Sequence, residues 1–303
     1  MTHLDAHPKA AFPAEDSRND RPANPNPFPC PTRDPWEALR RRTFARIALG
    51  RAGGSQRTAS VLEFRLAHAR ARDAVHARFE AEAIAAQFAE SGLATERLAA
   101  AVSDRPTFLM RPDLGRRLAE ASRETLRRRA LEWGARDLVI LVSDGHSANA
   151  ALRHAAPTIV PLANTLRAEG WTLYPILLIP FARVKLQDEV GALLHARHAL
   201  MFLGERPGLS ASDSLGAYFT WRPDPACTDA DRNCVSNIRA EGTPPAAAAR
   251  KLAWLLLESA RLGIGGVALK DDQIPAALPA QTESASLPGI DEENRRDFAV
   301  DPS

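Results

Sequence analysis

The chain has 303 residues, 45% of them hydrophobic and 25% charged. That balance belongs to a globular protein with a sizeable core, and it excludes a collagen, a wholly disordered polymer and a small disulfide scaffold. The formal net charge is +2 but is unevenly spread: residues 1–33 are neutral, residues 271–303 carry eight acids against two bases, and the body between them is about +8. A basic body favours an anionic partner, whether nucleic acid, acidic cofactor or acidic protein. The longest apolar stretch, 171–182, is short for a bilayer span and is broken by Pro175 and Pro180, so no membrane association is expected. No basic segment followed by an apolar run opens the chain, which leads us to expect a cytoplasmic protein. Cys30, Cys227 and Cys234 form no CxxC pair and read as free thiols of a reducing compartment. With no histidine in 223–240, a metal site is not expected there.

In chain order, residues 1–33 hold seven prolines and read as a disordered lead-in. Asp34-Pro35 is a helix start, with Trp36, Leu39, Phe44, Ile47 and Leu49 as the apolar face and Gly50 as the stop. After the glycine-rich turn 50–55, Thr58 caps a second predicted helix running to 89. Short helices are predicted over 93–102 and 113–133, so that 34–134 reads as all helical. The period then changes. Residues 137–142 form a continuous aliphatic run, the mark of a strand buried on both faces. Further strands are predicted over 171–179, 199–203 and 216–221, and helices over 147–169, 187–196 and 244–262. Residues 223–240 read as loop, and the acidic stretch 271–303 as a disordered tail. The expected fold is α/β: an N-terminal helical segment, 34–134, followed by a Rossmann-like domain, 135–270, with a mainly parallel sheet that binds its ligand at the carboxyl ends of the strands.

Those carboxyl ends carry the distinctive loops. In 143–150 the turn either offers backbone N–H groups to an anion at a helix start or uses Asp144 as the helix cap. Asp144-Gly145-His146 opens like a D-x-H-x-x-G cobalt-ligating motif, but Asn149 stands where the glycine belongs. His146 therefore reads as a surface loop histidine rather than a metal ligand. Two glycines and a proline in 204–209 hold Glu205 and Arg206 rigidly at a strand end. Cys234, in the polar stretch 231–238, is either an ordinary buried thiol or part of a ligand wall. The arginine triplets 40–42 and 127–129 each fan over about 200° of a helix and make no single nucleic-acid patch. The GIGG at 263–266 follows a helix, not a strand, so it is no dinucleotide fingerprint. No Walker loop, G-x-S-x-G or H-E-x-x-H is present. The residues by themselves leave open a stand-alone Rossmann-like nucleotide-binding enzyme and a helical nucleic-acid module with an appended α/β domain.

Six segments narrow this. DPWEALRRRTFARIALGRAGGS (34–55), EFRLAHARARDAVH (63–76), FLMRPDLGRRL (108–118), SDGHSA (143–148), GERPGLSASDSLGAYFTW (204–221) and DRNCVSNIRAEG (231–242) together resemble the small (light) subunit of ethanolamine ammonia-lyase. The resemblance implies an adenosylcobalamin-dependent radical lyase that converts ethanolamine to acetaldehyde and ammonia. It places substrate binding and catalysis mainly in a large barrel subunit, so no catalytic residue is expected on this chain. The small subunit closes the cobalamin site at the subunit interface, with contacts carried over to Val184, Glu205 and Cys234. Arg206 is expected to orient Glu205 by charge pairing. The family keeps the cofactor's own benzimidazole on cobalt and has an aliphatic residue at the position of His146, a departure in this chain. Residues 34–134, through segments such as 34–55 and 63–76, are expected to dock on the large subunit in a higher hetero-oligomer. The location is the cytoplasm, free or within a bacterial microcompartment.

Overall fold

The computed structural model describes residues 37–272, apart from residues 44 and 53. The lead-in 1–33, the Asp34-Pro35 helix start and all but two residues of the acidic tail lie outside the described residues. The chain divides into two compact units, residues 1–69 and 70–303. In the first, the helix expected up to Gly50 is only a 3-10 segment, Glu37–Arg42. Ala48 and Gly50 take left-handed backbone angles (φ 51° and 63°), which no continuing helix allows. The glycine-rich turn becomes a tight hairpin, β1 (Arg51–Ala52) against β2 (Ser55–Gln56). The long helix expected from 58 to 89 is two helices, α1 (Thr58–His76) and α2 (Ala81–Ala89). The break frees α2 to turn Ile84 and Phe88 fully inward. No described helix is long and apolar enough to cross a membrane.

The second unit is built on a six-stranded sheet. Its strands are β3 (Thr95–Arg97), β4 (Leu138–Ser143), β5 (Ile176–Leu178), β6 (His198–Gly204), β7 (Leu215–Trp221) and β8 (Arg232–Ile238). They lie in the order β3-β5-β4-β6-β7-β8. The pairs from β3 to β6 are parallel, and β7 and β8 are added antiparallel. The helices are α3 (Arg105–Met110), α4 (Glu120–Trp133), α5 (Ala148–Ala168), α6 (Leu186–Leu194) and α7 (Pro245–Leu262). The fold is thus α/β with a mostly parallel sheet, as expected.

Three local expectations are corrected. The segment 93–102, expected to be helical, contains β3, whose Thr95 pairs with Ile176 at the sheet edge. Three residues carry no period, so partner pairing decides their state. The stretch 223–240, expected to be loop, contains β8. Only Val235 and Ile238 of β8 face the core, and its polar residues hide the alternation. The second strand shrinks to Ile176–Leu178 within 171–179. A helix not anticipated, α3, starts where the Asp104 carboxylate accepts from the Thr107 N–H at 2.8 Å, with Pro106 in the first turn.

The core follows from strand alternation. On one face of the sheet, Leu138, Ile140 and Val142 pack with α2, α5 and α7. On the other, Val139 and Leu141 pack against Leu126 of α4 and Leu186, Val190 and Leu194 of α6. Each such burial contributes about 1.5–3 kcal/mol. Beyond β6, α7 covers the β7–β8 face that carries Phe219 and Val235, while Cys234 and Ser236 point to the opposite side and stay exposed. Chain direction diverges at β4, where α5 leads to β5 on one side and α6 leads from β5 back to β6 on the other. This is the position at which open α/β sheets hold ligands. The two strand ends close tightly there. A Cβ at Gly145 (φ 50°) would stand 2.4 Å from the Gly204 carbonyl oxygen, and one at Gly204 would stand 2.1 Å from that of Ser147.

Gly204→Ala is therefore expected to cost about 2–3 kcal/mol, read as a lowered urea midpoint. Gly208→Ala, whose nearest neighbour is 3.8 Å away, should leave the midpoint unchanged. A second expectation concerns His198, which is fully buried with its ring 5.1 Å from Trp171 and 4.7 Å from Trp221. Burial, aided by Arg197, lowers its pKa to about 3. The unfolded chain binds this proton near pH 6.5, so the contribution is whole above that pH and is lost as pH falls toward 3. Between pH 7 and pH 5 the wild type should lose up to about 2 kcal/mol more stability than His198→Phe, measured by paired urea titrations.

Candidate functional site

The floor of the site is a polar knot between the end of β4 and the chain that follows β5. Asp144, 1% exposed, accepts from the Phe181 N–H at 2.7 Å, the Ser143 hydroxyl at 3.1 Å and the Arg105 guanidinium at 3.1 Å. Ser143 Oγ in turn accepts from the Ala182 N–H at 3.0 Å. These bonds hold Phe181 in a left-handed conformation, φ 59°. The Asp144 side chain thus ties two loops together and caps no helix; Ser147 occupies the N-cap of α5. Nor does the turn offer a free row of N–H groups. That of His146 goes to the Gly204 carbonyl at 2.8 Å and that of Ser147 to the Asp144 carbonyl at 2.9 Å.

Above the floor, two arginines attend one aromatic ring. The Arg183 guanidinium lies 3.9 Å from the Phe108 ring centre and that of Arg105 lies 5.0 Å away. Arg183 donates through Nη2 to the Phe108 carbonyl and meets His146 Nε2 through Nη1, both at 2.8 Å. An arginine only donates, so Nε2 accepts and the ring is neutral. Burial, then the charges of Arg183, Arg206 and Arg105, lower the His146 pKa to about 4. His146 is accordingly a half-buried, bonded residue and not the loose surface histidine expected from the sequence. Among the described residues no group of three or more His, Cys, Asp or Glu side chains could hold a metal ion.

Phe108, His146, Arg183, Val184, Glu205 and Tyr218 are among the residues lining a cavity of about 340 Å³ at this end of the sheet. Two of the three residues singled out in the sequence, Val184 and Glu205, therefore share one wall. The Glu205 carboxylate accepts from the Ser214 hydroxyl and from the Asn237 N–H at 3.3 Å. No ion pair joins it to Arg206 among the described residues, which corrects that expectation: a hydroxyl and a backbone amide orient Glu205. Cys234 stands one strand further out. It pairs in register with Tyr218 of β7. Cys234 is exposed, but protein packed on one side of its sulfur, with the Glu205 charge, pushes the thiol pKa up to about 11. It remains a neutral thiol at physiological pH and is no nucleophile. Val184 and Arg183 also border a broader groove of about 1100 Å³ with Arg116, Arg117, Lys185 and Arg232 on its walls.

Residue-level reading of the sequence missed Phe108, Arg183 and Tyr218. Phe108 and Tyr218 lie inside quoted segments, and Arg183 adjoins Val184, but their convergence comes from sheet order. The cavity presents a carboxylate held as acceptor, guanidinium donors, a neutral imidazole and apolar surface. It contains no nucleophile paired with a base.

Comparison with known proteins bears on what such a wall serves. The family model of the ethanolamine ammonia-lyase light chain matches residues 33–270. The chain is 49% identical over 255 residues to the ethanolamine ammonia-lyase small subunit of Pseudomonas syringae pv. tomato, covering 84% of this chain and 89% of that protein. It is 51% identical over 248 residues to that of Azotobacter vinelandii, covering 82% and 92%. With the small subunit of Ralstonia nicotianae the identity is 47% over 287 residues, covering 94% and 99%. The family match over residues 33–270 and these identities of about one half along most of both chains show that the chain belongs to the ethanolamine ammonia-lyase small-subunit family.

Proposed function

We propose that this small subunit completes the adenosylcobalamin site of its lyase at the interface with the large subunit. The observation that carries the reading is the cavity where Val184 and Glu205 meet, with Cys234 attached through Tyr218. The residues suit a corrinoid. Glu205, held by Ser214 and Asn237, accepts from a corrin side-chain amide. Val184 and the Tyr218 ring give apolar surface, and the neutral Cys234 thiol avoids burying a charge against the macrocycle. A cavity of about 340 Å³ takes only an edge of so large a cofactor, so the remaining wall comes from another chain. Held by Val184, Glu205 and Cys234, adenosylcobalamin would supply the radical chemistry for the conversion of ethanolamine to acetaldehyde and ammonia. The role of this chain's residues in that site is to bind and orient. The proposed assembly is a higher oligomer of large and small subunits in the cytoplasm, free or within a bacterial microcompartment.

The docking role of the N-terminal segment rests on α1, where Leu62, Phe64 and Leu66 are 58%, 46% and 52% exposed. Large apolar side chains in such numbers on one short stretch suit a protein partner. Deleting all of 34–134 would remove β3 and Leu126 from the second unit, so a surface variant is the better probe. Leu62→Asp/Leu66→Asp should weaken capture by the large subunit at least about tenfold with an unchanged far-ultraviolet dichroism spectrum; undiminished capture refutes the docking role. Glu205→Ala should raise the Kd of the assembled complex for adenosylcobalamin about tenfold while the subunits still co-purify. Equal affinities in the two complexes would overturn the cofactor assignment. The activity itself is tested by co-expression with the large subunit and an acetaldehyde assay on ethanolamine with and without adenosylcobalamin.

A further inference from the structure

The cavity has more positive charge than its own partners neutralise. Arg183 Nε and Arg105 Nη2 are buried without a hydrogen-bond partner. Arg206 lines the same cavity as an exposed residue, and no described side chain or carbonyl accepts from its guanidinium, which adds charge there rather than a buried orphan donor. Burial and the neighbouring charges of Arg105, Arg116 and Arg206 lower the Arg183 pKa, with the Asp144 carboxylate as the opposing charge. Asp144 is already engaged by Arg105, Phe181 and Ser143. Glu205 also lines the cavity, and its carboxylate, turned toward Ser214 and Asn237, makes no ion pair with the described arginines. His146 stays neutral and spends its acceptor on Arg183. Burying guanidinium donors without acceptors is costly, and an anion entering the cavity would relieve the cost.

Within the function proposed above, few anions are available. Ethanolamine is a cation, acetaldehyde and ammonia carry no negative charge, and the corrin side chains are neutral amides. The remaining anion is the phosphodiester that links the corrin ring to its benzimidazole nucleotide. We infer that Arg183 and Arg206 hold the phosphodiester of the cobalamin nucleotide tail, one from the loop after β5 and the other from the loop after β6. The two guanidiniums supply planar forks of N–H donors, which suit a phosphate better than a point charge does. The inference rests on the cofactor reading, and it divides the cavity into a phosphate end at the arginines and an amide end at Glu205.

The test uses the assembled large–small complex and two probes, cyanocobalamin, which has the nucleotide tail, and dicyanocobinamide, which lacks it. Binding is read by equilibrium dialysis from corrinoid absorbance. Arg206→Gln, which removes no described bond within the fold, and Arg183→Gln should each raise the Kd for cyanocobalamin about tenfold to a hundredfold. The Kd for dicyanocobinamide should not move. If both probes weaken equally in both variants, the arginines are structural and the inference falls. It falls equally if neither probe weakens while the wild-type complex binds cyanocobalamin; the cofactor reading then stands without it. A wild-type complex that binds neither corrinoid overturns the cofactor reading, and this inference with it.

Discussion

The site depends on how closely the ends of β4 and β6 approach each other. Backbone meets backbone at Gly145 and Gly204, with no room for a side chain at either position. The His146 N–H donates to the Gly204 carbonyl across the contact. That contact sets where the 143–147 turn and the 204–209 loop emerge, and so sets the distance between His146 on one loop and Glu205 on the other. Asp144 adds the third side by binding the Phe181 N–H, which anchors the loop carrying Arg183 and Val184. One tight junction and one buried carboxylate therefore hold three loops in register, on a parallel sheet whose geometry already points their ends the same way.

Electrostatics then decides the character of the cavity. Asp144 is spent on structure, and Glu205 is turned toward Ser214 and Asn237. Arg105 and Arg183 share the Phe108 ring, which lets two cations stand close together on an apolar support. Their field keeps His146 neutral, so the histidine acts as an acceptor that steadies Arg183. The family's name, a small subunit, implies a larger partner subunit beside it.

The antiparallel pair β7–β8 explains why the wall extends beyond the parallel sheet. α7 covers one side of it, with Leu252 and Leu256 in the same core as Phe219 and Val235. The other side keeps Tyr218 half-buried and Cys234 exposed. A sheet face left open next to a cavity continues that cavity as a surface. Cys234 lies outside the 340 Å³ cavity, on the strand next to the Tyr218 that lines it.

Much of this was legible from residue order. The aliphatic run 138–142 has no polar residue to face water, so it had to be a central strand, and α5 and α7 carry a helical period long enough to be recognised. The loops at 143–147 and 204–209 could be placed at strand ends because glycine and proline punctuate them. The strand β3 and the strand β8 were hidden. Three residues at a sheet edge show no period, and a strand with one open face shows polar residues where alternation is sought. The arginines at 105 and 183 and the tyrosine at 218 are ordinary residues in a one-dimensional reading, since nothing in their spacing says that they meet. By itself the sequence determined the layers, the parallel core and the loops that carry the site, because burial and turn chemistry act over a few neighbouring residues. Which side chains face one another across that site was decided only by tertiary structure, because strand order and the Gly145–Gly204 contact bring together residues separated by scores of positions along the chain.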